Sequence, residues 1–262
     1  MAKKMKVSYW VISLANSVWR KEINNNLKAV SNEIKIFDAI DARNISKLEL
    51  DRIISADEIA KNMGRELALA EIACAASHLQ IYEKFLLSSD DCIVVFEDDA
   101  ELIDENIDKF VKKFFEKKIQ TPTIVSFFSG EAYAISFTSS EVLKCITPPL
   151  NTVGYAMNKL AAQNILDGTN HKVLSTADWP SVKNIQFYVT KKPRVKHLGK
   201  NSSIEKFRVN LKAPSLFTMI FQSITGNFIN FRVLQRSVLR ILLKIISFLR
   251  FGVTAIKHKD GP

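Results

Sequence analysis

In the stretch "CIVVFEDDAELI", four apolar residues run into three consecutive carboxylates, Glu97, Asp98 and Asp99. Adjacent carboxylates repel one another, and keeping them ionised favours a divalent cation that prefers hard oxygen ligands, Mn²⁺ or Mg²⁺. A cation there would hold a diphosphate. The same acids also suit a plainer role, ending a strand and opening a helix, where negative charge is favoured. Spacing alone leaves both readings open.

The elements that must position these acids alternate along the chain. "KVSYWVIS" is β-branched and aromatic and predicts a strand, and "VWRKEINNNLKAV" has helical spacing at Val18, Ile23, Leu27 and Val30. "EIKIFDAID" predicts a second strand, and "ARNISKLELDRIISADEIAKNMG" a loop with short helices. "RELALAEIACAASHLQIYEKFLLSS" is rich in helix formers, with no Gly or Pro inside it. "CIVVFEDD", "ENIDKFVKKFFEKK" and "TPTIVSFFSG" then read as buried strand, amphipathic helix and strand. Repeated strand, helix, strand order predicts an α/β sheet flanked by helices. The acids fall at the carboxyl end of a central strand, where open α/β sheets place their ligand crevice.

Charge divides the chain. The formal net charge of the 262 residues is +10, but residues 206–262 hold ten Lys or Arg against the single acid Asp260. The expected organisation is therefore a nearly neutral catalytic domain over 1–205 and a basic region over 206–262. Arg232, Arg236, Arg240 and Lys244 recur every fourth residue, with Leu234, Val238, Ile241, Leu242, Ile245 and Leu249 on another side. A helix so divided reads as an element lying on an anionic membrane surface. It also reads as a helix packed on the body or on a second subunit, which leaves oligomerisation open. No nucleic-acid motif accompanies the basic stripe. Cys74, Cys92 and Cys145 stand far apart, without zinc-finger or disulfide spacing, which fits a reducing compartment. No run gives the roughly 18 cleanly apolar residues of a spanning helix, and "LFTMIFQSITGNFINF", interrupted by Gln222, Asn227 and Asn230, reads as a doubtful span and a second interfacial piece. The expected location is the cytoplasm, peripherally at the inner face of the cytoplasmic membrane.

The run "AEIACAASHLQIYEKFLLSSDDCIVVFEDDAEL" resembles the signature of the bacterial lipooligosaccharide galactosyltransferases, glycosyltransferase family 25, in which a "GEIGCxxSH" helix leads to a strand ending "LEDDV". Glu71, Cys74, Ser77, His78, Glu97, Asp98 and Asp99 match, while Ala70 and Ala73 replace two glycines. "WVISLANSVWRKEINNNL" is similar to the family's "VINLxxxxxR" opening, with Ser13, Leu14 and Arg20 in place. "FDAIDA", "NTVGYAMNKLAAQNIL" and "TADWP" extend the likeness, so that it covers roughly residues 7–205.

The resemblance implies a GT-A-like fold, with a mostly parallel sheet, and metal-assisted, inverting transfer of a hexose. The hexose would be galactose from UDP-galactose, joined in β linkage to a lipooligosaccharide hydroxyl. Asp99 would be the ligand for Mn²⁺ or Mg²⁺, with His197 of "VKHLG" completing the site. Arg20, Ser77, His78, Glu97 and Asp98 would form the donor pocket, and Asp178 would be the base, with Trp179 stacking on a sugar. Asp38 and Asp41 would shape the loop over the uridine. His78 also suits a buried role holding its helix to the sheet, and Arg20 a solvated helix face. Two other functions use the same residues: a metal-dependent nucleotide-sugar phosphohydrolase, and a glycan-binding protein without turnover.

Overall fold

The computed structural model describes residues 5–28, 30–31, 33–135, 140–179, 184–198, 231–249 and 252–259. Seven strands form the main sheet: β1 (Val7–Ser13), β2 (Ile34–Asp38), β3 (Cys92–Glu97), β5 (Thr123–Ser126), β7 (Val142–Lys144), β8 (Gly154–Asn158) and β9 (Gln186–Thr190). Their order across it is β2-β1-β3-β8-β5-β9-β7. β1 pairs in parallel with β2 and β3, and β5 with β9, while β8 runs antiparallel between β3 and β5, and β7 antiparallel to β9. The expected α/β fold with a mostly parallel sheet is therefore present.

β3 explains its own composition. Cys92, Val94 and Phe96 enter one core cluster and Ile93 and Val95 the other, because successive side chains point to opposite faces and both faces are covered. On one face lie helices α4 (Leu69–Leu87) and α6 (Lys159–Thr169), which pack on each other. On the other, α1 (Arg20–Leu27) supplies Ile23 and Leu27, and α5 (Ile107–Glu116) supplies Ile107, Val111 and Phe115. Two shorter helices, α2 (Lys47–Ile53) and α3 (Ala56–Met63), fill the long β2-to-α4 connection, α2 opening with a Ser46/Glu49 capping box.

β8 approaches the neighbouring layer closely at Gly154. A Cβ added there would lie 3.0 Å from Val195 Cγ2 and 3.3 Å from Phe96 Cδ1. Gly154→Ala is expected to destabilise the fold by about 1–3 kcal/mol through overpacking, read as a lowered urea midpoint with an unchanged slope.

Outside the main sheet, β4 (Ala100–Leu102) pairs antiparallel with β10 (Val195–His197). The carboxy-terminal region forms helix α7 (Phe231–Phe248), in keeping with the periodicity, and also a strand that the sequence did not suggest, β11 (Val253–Ile256). β11 pairs antiparallel with β6 (Ala132–Ile135), so this region is fastened to the preceding part of the chain. Beyond it, the His258 N–H donates to Ser129 C=O, the Ser129 N–H donates to His258 Nδ1 at 3.1 Å, and His258 Nε2 lies 3.3 Å from Lys191 C=O. Together these contacts define a neutral imidazole with its proton on Nε2. Residues 216–230 and the side chains of Arg232, Leu234 and Arg236 lie outside the described residues.

Burial holds the His258 pKa below its ordinary 6.5. The unfolded chain therefore takes up this proton first as pH falls. Stability is expected to decline below about pH 6.5, with a slope of at most about 1.4 kcal/mol per pH unit from this one proton. Denaturant titrations from pH 8 to 5 should show the decline, and His258→Gln should flatten it.

Candidate active site

The parallel strands β1, β2 and β3 end side by side at Ser13, Asp38 and Glu97. The period of two then separates the three acids. Glu97 continues the Ile93/Val95 face toward α4, and Asp98 turns to the opposite face, where the Ser13 hydroxyl donates to its Oδ2 at 2.8 Å. Asp99, just before β4, meets β10 of the small ribbon, with His197 Nε2 3.1 Å from its Oδ2. The ribbon makes this encounter, since His197 is in register with Ala100 and the Leu198 N–H donates to Asp99 C=O. The buried Arg194 anchors the ribbon's start. It pairs with Asp104 and Glu141, and its guanidinium lies over the Phe110 ring, 3.7 Å from the centroid.

The acids differ in what already holds them. Glu97 Oε1 accepts from the Thr152 hydroxyl at 2.6 Å and lies 3.3 Å from His78 Nε2. Burial works against its charge, but His78, Thr152 and the more distant His197 outweigh it, so its pKa is lowered. Asp99 is shifted upward, by burial first and then by the charges of Glu97 and Asp98, and His197 offsets this only in part. Asp99 Oδ1 is buried and has no hydrogen-bond partner among the described residues. An orphaned carboxylate oxygen beside an imidazole, among acids that raise its pKa, is the donor set that a divalent cation fits.

His78 joins α4 to the end of β3. It is 2% exposed, and its Nδ1 is 2.7 Å from the Tyr155 hydroxyl, which lies 2.7 Å from that of Tyr82. Of its two readings, the buried tie between helix and sheet is the one these contacts describe. Ser77 is fully buried, accepts from the Ile40 N–H at 2.9 Å and donates to Ala73 C=O. Any influence of Ser77 on a donor therefore passes through the loop after β2. Glu71 is likewise internal, accepting from the Ala68 N–H and both Arg65 guanidinium nitrogens. Arg20 reaches the end of β2 in an ion pair with Asp38 at 2.5 Å, and Asp41 is held by Arg43 within its own turn.

Asp178 comes to the same end of the sheet through the segment before β8. Its Oδ1 accepts from the Asn151 N–H at 2.8 Å, and the next residue, Thr152, holds Glu97. The stacking expected of Trp179 is corrected. This side chain is 5% exposed, edge-on to Tyr155 at 4.8 Å and beside Phe187, so it belongs to the core and offers no face to a sugar. Its positive φ of 66° turns the backbone so that Trp179 enters the core while Asp178 stays half-buried beside it. The sequence reading assigned no role to Asn151, Thr152 and Tyr82. Their value lies in contacts made across the fold.

Residues 6–179 match the family model described as glycosyltransferase family 25 (LPS biosynthesis protein), a span that includes the acids and Asp178 but not His197. No curated protein sequence matches. Among solved structures, the chain is similar to a mannose-1-phosphate geranyltransferase from Thermus thermophilus, at 10% identity over 79% of this chain and 80% of that one, with a TM-score of 0.43. It is also similar to a putative glucose-1-phosphate thymidylyltransferase from Bacillus anthracis, at 11% identity over 76% and 93%, with a TM-score of 0.40. A third is a glycosyltransferase involved in glycosylation of the major capsid of PBCV-1, at 10% identity over 60% and 62%, with a TM-score of 0.31. With a match running from the first strand to the loop that carries Asp178, the chain belongs to glycosyltransferase family 25, whose members are glycosyltransferases of lipopolysaccharide biosynthesis.

Proposed function

We propose that the protein transfers galactose from UDP-galactose, with inversion and in β linkage, to a hydroxyl of a lipooligosaccharide acceptor. The observation that carries this reading is Asp99 Oδ1, buried beside His197 at the carboxyl end of β3 with no hydrogen-bond partner among the described residues. Asp99 and His197 would hold Mn²⁺ or Mg²⁺, which when bound would supply positive charge to offset the negative charge developing on the departing UDP. Asp98, fixed by Ser13, and Glu97, fixed by Thr152 and His78, shape the donor pocket with fixed dipoles. Arg20 is placed at the pocket's edge by Asp38, and Ser77 holds the Ile40 loop that borders it. Asp178 takes the proton of the attacking hydroxyl, and the Asn151 N–H fixes which carboxylate oxygen is turned inward.

The acceptor's lipid gives α7 a role in this reading. Val238, Ile241, Leu242, Ile245 and Leu249 are exposed along one side, next to exposed Arg240 and Lys244, which suits an anionic membrane surface. No helix among the described residues is long and apolar enough to cross a membrane.

The test incubates purified protein with a panel of UDP-sugars, Mn²⁺ and truncated glycolipid acceptors, and identifies products by mass and linkage. Acceptor-dependent β-galactoside formation that stops with chelator is expected. Acceptor-independent cleavage of the diphosphate, giving UMP and sugar 1-phosphate, would make it a phosphohydrolase, and binding of donor or glycan without turnover a glycan-binding protein.

A further inference from the structure

A second group of ligating side chains lies between α4 and the end of β3. Cys74 and His78 are one turn apart on α4, and Glu97 reaches them from the end of β3. One ligand atom from each, the Cys74 sulfur, an imidazole nitrogen of His78 and a carboxylate oxygen of Glu97, lies within 4.8 Å of the other two.

Three features of this group suit a metal better than a hydrogen-bonded cluster alone. The 3.3 Å between His78 Nε2 and Glu97 Oε1 is long for an N–H···O bond, whose usual length is about 2.9–3.0 Å. It matches the roughly 3.3 Å edge between nitrogen and oxygen ligands each about 2.0 Å from a tetrahedral ion. The outer ring nitrogen is already engaged, with Nδ1 at 2.7 Å from Tyr155 and Tyr155 backed by Tyr82. Such a partner is what orients a ligating histidine, and Thr152 does the same for Glu97. Access is also open, because Cys74 is half-buried and the Glu97 side chain is 24% exposed.

We propose that Cys74, His78 and Glu97 form a Zn²⁺ site, separate from the hard-cation site at Asp99 and His197. A thiolate, an imidazole and one carboxylate favour zinc over Mg²⁺ or Mn²⁺, whose preferred ligands are oxygens. Binding displaces the Cys74 thiol proton to solvent, and the fourth position is left to water. The consequence for activity rests on the donor-pocket reading above: zinc on Glu97 alters the wall against which the nucleotide sits, and so inhibits.

Co²⁺ serves as the spectroscopic probe. Titrated into the full chain, it is expected to produce a near-ultraviolet thiolate-to-cobalt charge-transfer band, saturating at one ion per chain and bleached by Zn²⁺. Cys74→Ser should abolish the band with an unchanged circular dichroism spectrum, while Cys145→Ser should keep it. Absence of the band in the unaltered protein, or its survival in Cys74→Ser, overturns the proposal; cobalt at Asp99 and His197 gives no thiolate band. In the activity arm, stoichiometric Zn²⁺ is expected to lower Mn²⁺-supported transfer at least tenfold in the unaltered protein and to spare Cys74→Ser. A cobalt band without zinc inhibition leaves the site standing and removes Glu97 from the donor pocket.

Discussion

Asp99→Asn is expected to lower sugar transfer roughly 10³-fold while leaving the metal-free protein at least as stable as before. The loss follows from removing the carboxylate whose buried Oδ1 has no hydrogen-bond partner among the described residues, and with it several kcal/mol of charge stabilisation at about 1.4 kcal/mol per decade of rate. The stability result follows from the same surroundings. Burial and the charges of Glu97 and Asp98 already raise the Asp99 pKa, so its ionised form is poorly accommodated without a cation. A neutral isostere relieves that repulsion. Saturating Mn²⁺ should stabilise the unaltered protein by about 2.7 kcal/mol at a hundred times its Kd, and the variant by little or nothing. Thermal melts with and without Mn²⁺ measure both effects, and a full Mn²⁺ shift in Asp99→Asn would exclude Asp99 as ligand.

Asp178→Asn should separate binding from chemistry. Deprotonation of an acceptor hydroxyl by a positioned carboxylate is worth about 10²–10⁴ in rate, so kcat should fall by that factor. The amide oxygen can still accept from the Asn151 N–H, which keeps the loop in place. The donor dissociation constant, measured by calorimetry with UDP-galactose and Mn²⁺, should therefore change less than about threefold. Transfer at the normal rate would remove Asp178 from the mechanism.

What could be read in advance follows from what each physical signal encodes. β3 was legible because burial on both faces writes an unbroken apolar run, and its end was legible because three acids interrupt it. α4 was legible from its uninterrupted helix formers, although only the fold shows that Ser77 and Glu71 spend their hydrogen bonds internally. The meeting of Asp99 with His197 depends on a three-residue ribbon, β4 with β10, too short to carry a periodic pattern. Asn151 and Thr152 acquire meaning only through β8, an antiparallel strand inserted between parallel neighbours, which brings their loop back to the acids. Trp179 misled because an aromatic beside an acid resembles a sugar platform, whereas its positive φ points it into the core. β11 was hidden in a basic segment whose helical period dominated, and its four residues are identified only by their partner β6.

Two contacts of the described residues bind the carboxy-terminal part of the chain to the rest: the Leu198 N–H donates to the backbone of Asp99, and β11 pairs with β6 as far as Ile135. Helix α7 itself packs on α3 and beside β11, with Leu243 buried, so it is not the end of a swinging tether. Whatever docks on the exposed side of α7 therefore carries the main body with it, because α7 is joined to that body through α3 and through the pairing of β11 with β6.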